Sequence, residues 1–129
     1  MKLTQFLPQA DIIEGLAIRV KNKYPEKGAC EAIAMDLVRE LKSRKISARH
    51  MVGNFKLDEP AADIFIKKIY TENDDYTVEH DWVEVEGVIV DPSASQFRNY
   101  VEFEIPDVVI ANFRHPLYTK YEPMKYVRD

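Results

Sequence analysis

The segment TVEHDWVEVEGVIVDPS, residues 77–93, constrains this chain more than any other stretch. Successive side chains of a strand point to opposite faces, so Val83 and Val85 share one face while His80, Trp82 and Glu84 share the other. A two-residue turn at Glu86-Gly87 folds the segment into a hairpin over 76–91, pairing Val85 with Val88, Val83 with Val90 and Trp82 with Asp91. Four valines then occupy one face, as a half-buried sheet requires, and His80 and Asp91 meet on the other face as diagonal neighbours. Moving the turn back by one residue pairs His80 with Asp91 directly and keeps them together. Only a slip of one unit in the pairing sum separates them, and that slip also splits the valines. Because the buried face fixes the register, the proximity of His80 and Asp91 follows from where the valines must go.

Two amphipathic segments precede this hairpin. Ile12, Ile13, Leu16, Ala17 and Val20 recur at three- and four-residue steps, which predicts a helix over 11–23. Asp11 is its expected cap, and Tyr24-Pro25 ends it, because a residue before proline is pushed out of the helical region. A second helix is predicted over 29–44, after Gly28, with Ile33, Ala34, Leu37, Val38 and Leu41 as its apolar stripe. Cys30 extends that stripe back by one turn, so it belongs to the first turn and points toward the core side. Residues 46–57 read as a strand that Gly53-Asn54 bends. Pro60 suits the first turn of a helix over 60–70, although Ile64-Phe65-Ile66 would also suit a strand. Residues 72–75 form a polar loop, 101–105 and 108–112 are strand-like, and the tail rich in tyrosine and proline has no assignment. The expected fold is therefore α+β: N-terminal helices, one bearing a cysteine at its start, packed on an antiparallel sheet in a single domain spanning 1–129.

A chain of this length can bury a real core, and with 46% apolar and 31% charged residues it matches ordinary globular composition rather than disorder. The net charge of -4 is modest, and the acidic residues are scattered. No basic stripe is present to neutralise a phosphate backbone, so nucleic acid is not an expected partner. The run from Lys42 to Lys45 falls at a helix end, where cations offset the helix dipole. The N-terminal residues lack the apolar region of a signal peptide and no apolar run approaches a membrane span, so the expected setting is cytoplasmic with no membrane partner. In that compartment a lone thiol stays reduced, and the single cysteine serves either as buried filler or as a nucleophile.

A histidine beside a carboxylate has its tautomer fixed and its protonated form stabilised. It becomes catalytic when a nucleophile lies within hydrogen-bond reach. Cys30 is the only thiol available. At a helix start, backbone N–H groups and the dipole favour a thiolate, and an imidazolium nearby favours it further. The same N–H groups can receive the oxyanion of an acyl-transfer intermediate. Taken alone, Cys30 would read as one more buried apolar cysteine, His80 as a surface histidine, and Asp91 as the start of a turn with Pro92. Their combination points to a nucleophile, its base and the group orienting that base.

The same residues carry a family resemblance. Gly28-Ala29-Cys30 before an amphipathic helix, then His80-Asp81-Trp82-Val83-Glu84-Val85, then Asp91-Pro92-Ser93, resemble the transglutaminase-like branch of the papain-like cysteine enzyme superfamily. That family shows a glycine two residues before the cysteine of a helix start, an H-x-W-x-E-V strand, and an aspartate followed by Pro or Ala and then Thr or Ser. The similarity covers residues 28–97 and implies a papain-like core performing cysteine-dependent acyl transfer: amide or ester hydrolysis, deamidation, or transfer to an amine. Papain-like enzymes often place an oxyanion-hole glutamine six residues before the nucleophile. Here that position is Tyr24, leaving either its hydroxyl, or the cysteine's own N–H with another group, to serve instead.

Trp82 is expected in the cleft wall, with an ordinary packed aromatic as the alternative, and Gln96-Phe97 either closes the site or caps the core. The implied partner is a peptide, protein or other amide-containing substrate, with no cofactor; the sequence fixes no oligomeric state. The alternative reading is a catalytically inactive papain-like fold that binds a protein, for instance as a phage accessory module. A zinc site drawing on Cys30, His50, His80 and Asp91, with His115 also weighed, lacks the local ligand spacing of structural zinc, so no metal is expected.

Overall fold

In the computed structural model, residues 9–25, 28–57, 77–101 and 104–125 are described. The hairpin that the valines demand is formed by β2 (Thr77–Val85) and β3 (Val88–Asp91). Val83 pairs with Val90, Glu84 with Ile89 and Val85 with Val88. Glu86 and Gly87 both take positive φ, 50° and 79°, the backbone that lets a two-residue turn follow the twist of the strands. β1 (Arg49–Lys56) lies antiparallel on the other side of β2, with Gly53 opposite His80 and His50 opposite Val83. β4 (Val109–Asn112) pairs with β3, and β5 (Tyr118–Pro123) pairs with β1, giving a five-stranded antiparallel sheet in the order β4-β3-β2-β1-β5.

Two helices, α1 (Ala10–Asn22) and α2 (Cys30–Ser43), cover one face of this sheet. Their buried stripes, Ile13, Leu16, Ala17 and Val20 from α1 and Ile33, Ala34, Leu37, Val38 and Leu41 from α2, pack on Val83, Val85, Val88 and Val90. Each side chain of this size removed from water contributes roughly 1.5–3 kcal/mol, so the four valines hold the register as well as the core. The opposite face carries an aromatic layer of Trp82, Phe55, Phe97 and Tyr118 with Met51, Val78 and Ile89. A 3-10 helix, Ala94–Tyr100, supplies Ala94 and Phe97 to that layer.

Several expectations are revised. Asp11 lies inside the first turn of α1; the N-cap is Gln9, left-handed at φ 61° and making no side-chain cap bond. The stretch 101–105 contains no described strand: Val101 is extended, and the segment before β4 begins pairing only at Val109. The tail gains an element that the sequence did not announce, since β5 adds to the edge of β1. Gly53 sits where that edge is irregular, and its register with β5 shifts between Val52 and Asn54. A Cβ there would lie 2.7 Å from the Trp82 ring and 2.8 Å from the Tyr121 backbone, so only glycine permits this approach. The readings for 60–70 and 72–75 fall outside the described residues. No described helix is long and apolar enough to cross a membrane.

Candidate functional site

The pleat that sends the valines to the helices sends His80 into the aromatic layer, where it is fully buried among Phe55, Trp82 and Phe97. Asp91 ends β3 on the same face, also without exposure, and its Oδ2 lies 2.7 Å from His80 Nε2. Asp91 is held on every side. Its Oδ1 accepts from the Ser93 N–H at 3.0 Å and the Ser93 hydroxyl at 3.2 Å. Its Oδ2 accepts from the Tyr118 hydroxyl at 2.7 Å as well as from the imidazole. A buried carboxylate left unpaired would take up a proton. Burial pushes Asp91 upward in pKa, but the His80 charge and these hydrogen bonds outweigh it and hold the carboxyl below its usual value. Tyr118, buried against that carboxylate, is raised well above the ordinary phenol range by burial and then by the Asp91 charge. It stays a neutral donor.

Burial alone would push the His80 pKa down. The Asp91 charge and hydrogen bond, followed by the Cys30 sulfur beside the ring, more than reverse this and raise it to about 10. With Nε2 given to Asp91, the second ring nitrogen, Nδ1, is buried and makes no hydrogen bond among the described residues. The approach of Cys30 to this ring is loose, close enough to raise the imidazole's pKa but outside hydrogen-bond geometry.

The hydrogen-bond partner of Cys30 is Asp81, whose Oδ1 lies 3.7 Å from the sulfur. Asp81 follows His80 on β2 and so points to the helix-covered face. There its Oδ2 meets His50 Nε2 at 2.6 Å, and both residues are buried. One sulfur can approach groups on both faces because β3 pairs with β2 only across Val83, Glu84 and Val85. Beyond Asp91 the chain turns into the 3-10 helix, and the start of α2 comes to the β2 edge left without a β3 partner.

Cys30 is half-buried and is the first residue of α2. Gly28, at φ 89°, brings the chain into that helix, and the Ala29 N-cap offers no side-chain cap, so among the described residues no capping side chain occupies the N–H donors of the first turn. An open groove of about 170 Å³ runs beside them, lined by Pro25, Gly28, Ala29, Cys30, Ser93 and Gln96 among others. It is large enough for a small side chain or an extended backbone.

Of the residues expected at the site, Cys30, His80, Asp91 and Gln96 are therefore gathered at one end of the hairpin. Two are placed elsewhere. Trp82 is 2% exposed inside the aromatic layer and does not line the groove. The indole faces away because the pleat puts it beside His80, where β5 brings Tyr118 and Tyr121 against it. The Tyr24 hydroxyl donates to Asp36 Oδ2 at 3.0 Å and is committed to α2 rather than to the groove. Glu84 takes Arg49 as its cation at 2.7 Å.

Sequence reasoning missed three members of this site: Tyr118, Asp81 and the pairing role of His50. The available signals were the tyrosine-rich tail and the aspartate directly after His80. Among the described residues no group of three or more His, Cys, Asp and Glu is placed to hold a metal ion. No family model, curated protein or solved structure matches this chain.

Proposed function

We propose that this protein is a papain-like, transglutaminase-like cysteine enzyme that performs acyl transfer on amide substrates. The observation that carries the reading is a fully buried imidazole, fixed through Nε2 by a saturated aspartate, whose remaining nitrogen has no partner and whose ring lies beside the only thiol. Such a ring orients and charges a nucleophile. Most buried histidine nitrogens are satisfied; His115 Nε2 is also buried without a partner among the described residues, but it has no carboxylate on its other nitrogen and no thiol beside it.

In the proposed reaction the attacking form is a Cys30 thiolate beside a His80 imidazolium, protonated at both nitrogens, whose charge Asp91 balances. The sulfur attacks the carbonyl carbon of an amide lying in the groove, and the carbonyl π electrons move to oxygen. The free N–H groups of the first turn of α2 receive that oxyanion. The oxyanion reforms the carbonyl, the C–N bond breaks, and His80 delivers its proton to the departing nitrogen, leaving a thioester. Water or an amine then attacks the thioester while His80 accepts its proton. The C–S bond breaks, and the sulfur departs as thiolate. Asp91 never moves a proton; Ser93 and Tyr118 hold it as an anion. Gln96, on the groove wall, is suited to bind the substrate amide.

The test is labelling with iodoacetamide at neutral pH, followed by intact-mass measurement. The wild-type thiol should react faster than free cysteine, His80→Gln should remove that advantage, and Cys30→Ala should take no label. Incubation with peptide, glutamine and peptidoglycan-fragment panels should trap an acyl adduct on Cys30. A wild-type thiol no faster than free cysteine, with no adduct, would leave a fold that binds partners without turnover.

A further inference from the structure

The mechanism above uses one histidine–aspartate pair and leaves the other idle. Asp81 and His50 are buried, 2.6 Å apart, and Asp81 is also the acceptor of the Cys30 hydrogen bond. Burying a carboxylate is costly unless partners satisfy it. Its neighbour on the sequence, His80, is already paired on the far face of the strand, so Asp81 is not needed to hold the triad together.

We propose that Asp81, gripped by His50, is a positioning residue that holds the Cys30 thiol in a resting state with its hydrogen directed away from His80. This rests on Cys30 being the nucleophile. The sulfur lies between the Asp81 carboxylate on the helix-covered side, which accepts its hydrogen, and the His80 ring on the aromatic side. With His80 raised to about 10 the ring is protonated at neutral pH and offers the sulfur a donor, so Asp81 is the acceptor that holds the thiol hydrogen. Arming the site releases that hydrogen as a proton to water in the groove and leaves the sulfur anionic beside the imidazolium. A carboxylate at 3.7 Å opposes that anion by Coulomb repulsion, and the hydrogen bond from His50 tempers the opposition by spreading charge off Asp81. His50 and Asp81 therefore set how readily the thiol gives up its proton, and the His80 imidazolium balances the anion that remains.

Among the described residues, the charged and titratable groups around the sulfur are His50 on β1, His80 and Asp81 on β2, and Asp91 at the end of β3 acting through His80, with Glu31 next to Cys30 in the first turn of α2.

Asp81→Asn retains the shape and an acceptor oxygen while removing the charge. Its alkylation rate at pH 6.5 should exceed that of the wild type by roughly tenfold, the size of effect a unit charge has at this range in a partly screened site. His50→Gln, which removes the ring but leaves Asp81 charged, should slow alkylation, and in an Asp81→Asn background it should change nothing further. Far-UV circular dichroism of each variant reports folding, and His50→Gln carries the test if Asp81→Asn does not fold.

A wild-type thiol whose fast alkylation depends on His80, combined with an Asp81→Asn rate equal to or below the wild type, would overturn this proposal and leave the nucleophile intact. A wild-type thiol that is slow and indifferent to His80→Gln would remove the nucleophile itself.

Discussion

The two faces of the sheet each carry a buried histidine–carboxylate pair, and the pairs are built differently. On the aromatic face, Asp91 accepts four hydrogen bonds from three residues, and His80 gives it one nitrogen and keeps the other unpartnered among the described residues. On the helix-covered face, Asp81 divides its oxygens between His50 and the Cys30 sulfur. The aspartate of the first pair is closed to any further ligand, so its histidine is fixed in place and in charge. The aspartate of the second is in contact with the nucleophile, so its charge is felt there. A strand has two faces, and a helix end that reaches its uncovered edge can meet both. This arrangement separates fixing the base from setting the resting state of the thiol.

Removing the aromatic-face carboxylate should break the comparison most completely. Asp91→Asn strands a buried imidazole without a counter-ion, and such losses cost about 3–5 kcal/mol. Chemical denaturation should report that fall, and turnover of any amide substrate identified should drop by about 10³ or more.

The pH dependence of stability should change with it. His80 is raised from 6.5 to about 10, so its contribution is complete below pH 6.5 and is lost as pH climbs through 10. Tyr118, raised above 10.0, adds to the loss beyond that point. Asp91 is lowered from 3.8, so its contribution is complete above pH 3.8 and fades as pH falls further. The melting temperature of the wild type should therefore peak in acid to neutral solution and decline on the alkaline side. In Asp91→Asn the alkaline decline due to His80 should vanish.

Tyr118→Phe should have a smaller effect and sharpens the contrast. It removes one charge-assisted hydrogen bond to Asp91 while the histidine bond and the aromatic packing remain. The expected loss is about 1.5–3 kcal/mol, with a milder fall in turnover than Asp91→Asn and no change in the hydrogen bond of Cys30 to Asp81.

These differences also explain what could be read in advance. The hairpin was legible because both its signals are local: alternation of valines with period two, and a turn pair able to take positive φ. Those same constraints placed His80 against Asp91, 11 residues apart, without any long-range knowledge. The stripe of α2 likewise put Cys30 in a first helical turn. Tyr118 was not legible, because it reaches Asp91 through the pairing of β5 with β1, and nothing local in the tail specifies that register. Asp81 was hidden for a related reason. The pleat assigns it to the face away from His80, and only the docking of α2 at the point where β3 leaves β2 lets the sulfur meet it. Trp82 looked like a cleft residue from its spacing to His80, but burial of the aromatic face depends on β5 and the 3-10 helix, which the sequence pattern did not place.

Everything proposed for the site depends on an electrostatic partnership between the sulfur of Cys30 and the ring of His80. Nitrogen-15 NMR titration of the His80 side chain, in wild type and in Cys30→Ala, measures that partnership most directly. In the wild type both ring nitrogens should stay protonated through neutral pH and titrate near 10, and Cys30→Ala should move the titration to lower pH. A wild-type ring that titrates near 6.5, at the same pH with and without the thiol, would contradict the account.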